Sequence, residues 1–193
     1  MMRCYSCRRK PRRPRRNRQE RQASAAVAAV VNVATRIATF AAGCFWGVEL
    51  AFSETPGVVL TRVGYTGCEK SCTGATYEQV CNDETGCAEA VEVTYDPAKT
   101  TYEKLLEVFW RIHDPTTMDR QGPDVGSQYR SGIFYHDDAQ KTAATNSRDA
   151  HQNKLGPKKS IVTEITKASQ FFQAEDYHQQ YLKKRGLKGG CHI

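Results

Sequence analysis

The residues best suited to chemistry stand together in the run Gly43-Cys44-Phe45-Trp46-Gly47. Cys44 lies between a short apolar run over residues 36–42 (RIATFAA) and a segment, Cys44–Ser53, that reads as a helix opening. At a helix start the unsatisfied backbone N–H groups and the positive end of the dipole favour a thiolate over a thiol. The thiolate is the nucleophilic form, so this is how a reactive cysteine would be built. The two aromatic residues that follow directly suit a small apolar group held beside the sulfur. Residue types alone leave a second reading open, a buried cysteine with core aromatics at a strand end.

Elements able to position such a cysteine follow from hydrophobic period and punctuation. Residues 36–42 read as a buried strand ending at Gly43, and the helix opening at Cys44 is broken by Pro56-Gly57. Residues 58–65 (VVLTRVGY) and 88–95 (AEAVEVTY) alternate as strands, the second ended by Asp96-Pro97. Residues 101–112 (TYEKLLEVFWRI) carry apolar side chains at 105, 106, 108, 109 and 112, the spacing of an amphipathic helix capped by Thr100 or Thr101. Strands are expected at 129–135 and 161–165, a helix at 137–153, and helix for part of 171–184. Two stretches, 66–86 and 113–128, read as loops long enough to be functional. Strands interleaved with helices in this order predict an α+β fold, a two-layer ferredoxin-like (split βαβ) plait with long functional loops.

The composition divides the chain. Of 28 Lys+Arg and 21 Asp+Glu, 11 basic residues and one acid fall in residues 1–42, leaving 17 basic and 20 acidic residues, a net −3, on residues 43–193. The formal +7 therefore says nothing about the partners of the globular part. Residues 1–35 are expected to be a disordered basic leader, with 36–193 the catalytic domain and a flexible C-terminal tail. An Arg-rich, acid-poor leader fits an organellar transit peptide, which would place the protein in a mitochondrion or plastid, and otherwise in the cytoplasm. A nucleic-acid arm over RRKPRRPRRNR is the alternative, although the acidic domain argues against nucleic acid as the partner. No apolar run reaches the roughly 18–20 residues of a membrane span, so no membrane association is expected.

Read together, GCFWGVE, RVGYTG, TYEQVC, AEAVEVTYDP, HDPTT, RQGPDVGSQYRS and AEDYHQQYL closely resemble, in order, the successive blocks of the peptide methionine sulfoxide reductase A family, from about residue 37 to 193. The resemblance implies an S-epimer reductase whose Cys44 attacks the sulfoxide sulfur. It makes Glu89 the protonated acid that assists departure of the oxide oxygen, Tyr77 and Tyr129 its hydrogen-bond donors, and Asp124 a polar residue positioning substrate and water. Phe45 and Trp46 match the residues that hold the ε-methyl group. The product would be methionine and a sulfenic acid on Cys44. The GGCHI tail resembles the resolving-cysteine tail of one family subgroup, which implies a Cys44–Cys191 disulfide. Reducing equivalents would come from thioredoxin or a similar dithiol, with no bound cofactor and no metal. Oxidised proteins carrying methionine sulfoxide would be substrates, and the family is mostly monomeric.

The chain departs from the family in its cysteines. Cys87 stands where the family usually has His, and Cys68 and Cys72 where it usually has a glycine-rich loop, so that with Cys81 four thiols fall within twenty residues. Zinc ligation, extra resolving cysteines and inert thiols in a reducing compartment all remain open, with inert thiols the default. A different thiol enzyme of the Cys–His hydrolase kind could draw on His113, His136, His151, His178 or His192, none of them tied to Cys44 by a recognised spacing.

Overall fold

In a computed structural model the apolar run before Cys44 is a strand, β1 (Arg36–Ala42), buried from Ala38 onward. The structure describes residues 34–68 and 74–187, so most of the basic leader, Cys4, Cys7, Cys72 and Cys191 lie outside the described residues. All the described residues except Ala34 belong to one compact unit, Thr35–Ile193.

The chain continues through α1 (Phe45–Ser53), β2 (Val58–Thr66), α2 (Tyr77–Cys81), β3 (Ala88–Tyr95) and α3 (Tyr102–Arg111). A small hairpin of β4 (Arg120–Gln121) and β5 (Asp124–Val125) and a 3-10 turn (Ser127–Tyr129) precede β6 (Ser131–Tyr135). Next come α4 (Asp138–Leu155), β7 (Glu164–Lys167), β8 (Phe172–Gln173) and a single helical turn, α5 (Tyr181–Lys184). The main sheet runs β7-β6-β1-β3-β2-β8. All neighbours are antiparallel except β6 and β7.

One face of the sheet is covered by helices. Phe40 and Ala38 of β1, Val63 and Tyr65 of β2 and Val91 and Val93 of β3 pack with Phe45, Val48 and Phe52 of α1 and Leu105, Leu106 and Phe109 of α3. The α3 helix starts as its spacing predicts, with the Thr101 hydroxyl accepting the Lys104 N–H. The opposite face carries a smaller cluster of Ala41, Ala88, Ala90 and Phe134, closed by Ala168 and Phe171 from the chain leading into β8. That chain passes so close that a Cβ on Gly64 would lie 2.4 Å from the Phe172 carbonyl oxygen.

The structure alters four expectations. The stretch 66–86 is not all loop, because a capping box between Thr76 and Gln79 starts the short helix α2. The stretch 113–128 holds the β4–β5 hairpin and most of the 3-10 turn. The strand expected at 161–165 begins at Glu164, because the Ile161 N–H is taken by Gln152 and the Val162 N–H by the Pro115 carbonyl. The alternating β3, which reads as half-exposed, is buried on both faces, so Glu89 and Glu92 are both buried. Among the described residues no helix is long and apolar enough to cross a membrane.

Candidate active site

The turn from β1 into α1 depends on Gly43. Its φ of +91° is in the region side chains rarely adopt, and a Cβ there would lie 2.7 Å from the Gln121 side chain. Gln121 is fixed in turn by Asp114, accepting the Asp114 N–H at 2.9 Å and donating to the Asp114 carbonyl at 3.0 Å. Cys44 then takes the N-cap position of α1, with the Val48 N–H 3.5 Å from its carbonyl oxygen. Its sulfur is a half-buried thiol at the positive end of the helix.

Glu89 enters from the start of β3, opposite Tyr65 of β2. It is only 2% exposed, and its Oε2 accepts the Phe45 N–H, at the first helical residue after Cys44, at 3.0 Å. Burial pushes its carboxyl up to about 8, opposed by the Phe45 N–H and reinforced by the charge of Asp124. A carboxylic acid that keeps its proton at neutral pH is thereby held against the first turn of the cysteine's helix.

Two segments face this pair. Tyr77 is the first residue of α2, and its N–H donates to Glu175 at 3.1 Å. Burial, the neighbouring Cys81 thiol and the charges of Glu89 and Cys44 hold its hydroxyl well above the usual range. Tyr129, in the 3-10 turn, is raised by burial and by Glu89, Tyr77 and Asp124. Both hydroxyls are therefore protonated donors across the neutral range. Asp124, on β5 beside Gln121, adds its negative charge to the same group. The structure thus brings Cys44, Glu89, Tyr77, Tyr129 and Asp124 near one another.

Phe45 and Trp46 differ from each other. Phe45 is 1% exposed and packs among Tyr65 and His178, whereas Trp46 is half-buried and stacks on Tyr181 with ring centres 3.8 Å apart. The Trp46 indole N–H donates to His178 Nδ1 at 3.0 Å, so the His178 proton sits on Nε2. Burial keeps that imidazole neutral, with Nε2 3.9 Å from the Glu175 carboxylate. Glu175 also accepts the Tyr65 hydroxyl at 3.1 Å. Glu175, His178 and Tyr181 were not singled out from the sequence as supports of Tyr77 and Trp46. The available signal was the density of aromatic and polar residues in AEDYHQQYL. The other described histidines are engaged elsewhere, His113 with Ser131, His136 with Thr39 and His151 stacked on Trp110.

The cysteine cluster is corrected in one respect. Cys68 and Cys87 form a disulfide, so the default of inert thiols does not hold for them, nor can both ligate zinc as thiolates. Cys81 is an exposed thiol, raised by burial and by the charges of Glu89 and Glu175 and opposed by the Tyr77 hydroxyl. Among the described residues no group of three or more His, Cys, Asp or Glu is placed to hold a metal ion.

Residues 36–193 match the family model described as peptide methionine sulfoxide reductase. The chain is 58% identical over 150 residues to a peptide methionine sulfoxide reductase MsrA of Methanosarcina mazei, covering 78% of this chain and 70% of that protein. It is 53% identical over 154 residues to peptide methionine sulfoxide reductase A2 of Arabidopsis thaliana, covering 80% and 69%. The crystal structure of Mxr1 from Saccharomyces cerevisiae in reduced form superposes with a TM-score of 0.75 at 39% identity, covering 82% of this chain and 91% of that one. Mxr1 in complex with Trx2 superposes with a TM-score of 0.54 at 30% identity, covering 76% and 84%.

Proposed function

Because the chain belongs to the peptide methionine sulfoxide reductase family and is a thiol-dependent reductase of methionine sulfoxide, we propose that Cys44 is its nucleophile and Glu89 its acid. The substrate is the S epimer, in oxidised proteins and as the free amino acid. The observation that carries this reading is the buried, protonated Glu89 bound to the N–H that follows Cys44.

Cys44 Sγ attacks the sulfoxide sulfur while Glu89 delivers a proton to the oxide oxygen, a poor leaving group until protonated. Tyr77 and Tyr129 donate hydrogen bonds to that oxygen, and Asp124 orients substrate and water. Phe45 and Trp46 hold the ε-methyl group, with Trp46 fixed by His178 and Tyr181. The net step converts the Cys44 thiol and the sulfoxide into a Cys44 sulfenic acid and methionine. The Cys191 thiol then condenses with the sulfenic acid, releasing water and forming a Cys44–Cys191 disulfide. A dithiol protein of the thioredoxin kind reduces that disulfide and restores both thiols. A relative solved with Trx2 supports this last partner.

Three further readings belong to the same proposal. The inner order β6-β1-β3-β2, with α1 and α3 on one face, supports the split βαβ plait. The basic residues 1–35 act as a transit peptide that plays no part in the chemistry, so deleting them leaves activity intact, whereas a nucleic-acid arm would lose its function. The protein works as a monomer.

Mass spectrometry after one turnover with methionine S-sulfoxide and no reductant tests the mechanism. About one methionine per chain and a Cys44–Cys191 link are expected. Cys44→Ser should release none. Cys191→Ser should release one methionine and then stall with thioredoxin; normal recycling would transfer the resolving role to another cysteine.

A further inference from the structure

The Cys68–Cys87 disulfide has no part in the steps above, and its place in the fold gives it one. The β2–β3 ladder ends at the pair Thr66 and Ala88. Cys68 lies just beyond the end of β2, and Cys87 immediately precedes β3 and stands two residues before Glu89. The bond therefore closes, across a sequence separation of 19, a covalent loop that contains α2 with Tyr77 and Cys81. We propose that this pair is a redox latch on the Tyr77 segment. Closed as a disulfide, it holds residues 74–86 in the geometry that aims Tyr77 at the site; opened to two thiols by a dithiol protein, it lets Tyr77 wander and slows sulfoxide reduction. The proposal rests on the role given to Tyr77 above.

The segment has little else to hold it. The helix α2 has five residues, far below the roughly 12–15 at which an isolated helix begins to persist. Val80 is its one buried residue, and Cys81–Glu84 are exposed. Such a segment belongs to the part of a fold that opens first. Its other tethers are few: Val80, with Ala75 and Tyr77 beside it, packs at the edge of the main hydrophobic cluster, the Tyr77 ring lies 4.7 Å from that of His178, the Tyr77 N–H donates to Glu175, and Asp83 accepts the Ser127 hydroxyl. The covalent bond is the tether among these that a redox partner can cut.

The pair is also arranged for exchange. Cys87 is 1% exposed, whereas Cys68 is partly accessible. An incoming thiolate attacks Cys68 Sγ, and Cys87 leaves and takes up a proton. The second thiol of the reductant then attacks the mixed disulfide and releases the Cys68 thiol. Two electrons pass from the dithiol, which leaves as a disulfide, and the reverse exchange with an oxidised dithiol protein closes the latch. Closing under oxidising conditions would make the enzyme fastest when methionine is being oxidised.

The test uses the full chain equilibrated in glutathione buffers of graded potential and then mixed with methionine S-sulfoxide for one turnover. The amplitude of methionine release counts reduced Cys44, and the rate constant reports the latch, whose state is read by alkylation and mass spectrometry of the Cys68 and Cys87 peptides. The rate constant is expected to fall about fivefold or more as that pair becomes reduced, since misplacing a donor is costly. Hydrogen exchange in peptides spanning 74–86 should accelerate over the same range. Cys68→Ser, which alters the more accessible cysteine, should be slow in every buffer. Equal rate constants in both states, or a Cys68→Ser variant as fast as the closed wild type, would overturn the latch. A Tyr77→Phe variant at full rate overturns the reading of Tyr77 and with it the latch's mode of action. A slow Tyr77→Phe variant, with no effect of redox state, overturns the latch alone.

Discussion

The two halves of the site are held in different ways. Glu89 sits on the central strand β3 and Cys44 at the turn from β1 into α1, both flanked by residues of the main hydrophobic cluster. Tyr77 sits on the short helix α2 and Tyr129 on the 3-10 turn, both outside the ladders, held by hydrogen bonds, one disulfide and, for Tyr77, packing at the edge of that cluster. Arg130 shows the second style. Its guanidinium donates to the Gly67 carbonyl at 2.7 Å and to the Ser127 carbonyl at 3.0 Å, tying the Tyr129 turn to the exit of β2. The contrast suits the chemistry. A carboxyl kept protonated needs a dry, rigid place, whereas donors to an oxygen that enters and leaves can sit on segments with fewer apolar anchors.

The largest effect should come from the rigid half. Glu89→Gln keeps shape but removes the proton, so the single-turnover rate should fall about 100-fold or more with little change in substrate affinity. In the wild type the rate should decline as pH rises through about 8, where Glu89 ionises, and that limb should vanish in the variant. A variant that retained the limb would assign it to another group. Stability should move the other way. A carboxyl raised from 4.5 to about 8 binds its proton more tightly folded than unfolded, so stability is lost as pH rises through that window. Glu89→Gln should therefore be more stable than wild type above pH 8, by on the order of 1–3 kcal/mol, as each pKa unit is about 1.4 kcal/mol. Denaturant melts at pH 6 and pH 9 would show it, and an equal difference at both would refute the linkage.

A smaller effect should follow in the stitched half. Arg130→Met leaves the half-buried Gly67 and Ser127 carbonyls without their donor and Glu164 without its ion pair. Loss of about 1–2 kcal/mol of stability is expected, as each hydrogen bond contributes a net of roughly 0.5–1.5 kcal/mol. The single-turnover rate should drop ~10-fold through Tyr129, with the pH limb of Glu89 unchanged. A shift of that limb would mean the two halves are mechanically joined.

The rigid half was also the more legible in the sequence. Gly43 and Cys44 stand at a clean change from apolar strand to helix, and Glu89 opens an alternating strand. Even there the pattern misled: alternation suggests one wet face, but Phe171 and Ala168 cover it, and a distant segment leaves no trace in local period. The stitched half was harder. The five residues of α2 are too few to show a helical period, and the capping pair Thr76 and Gln79 was its one local sign. The roles of Glu175 and His178 depend on contacts about a hundred residues away in sequence, with Tyr77 and Trp46, which no periodicity reports. The family resemblance supplied the tyrosines, but Cys87 departs from the family, so its bond to Cys68 was visible only in three dimensions.

The smallest expected effect tests the seam between the halves. Glu175 accepts the Tyr77 N–H through one oxygen and the Tyr65 hydroxyl through the other, and Tyr65 belongs to β2 of the rigid sheet. Burial works against its charge, but the Tyr77 N–H, its own backbone N–H, the Tyr65 hydroxyl and His178 hold the carboxyl below its usual value. Glu175→Gln keeps an acceptor for one of the two donors and loses the charge facing His178. The rate should fall about fivefold, since one hydrogen bond is worth roughly 1 kcal/mol. Glu175→Ala, which frees both donors, should cost more than Gln, and its hydrogen exchange should rise in 74–86 while β3 stays protected. Loss of protection in β3 as well would show that Glu175 braces the rigid sheet itself, and the division between the two halves would fail at this residue.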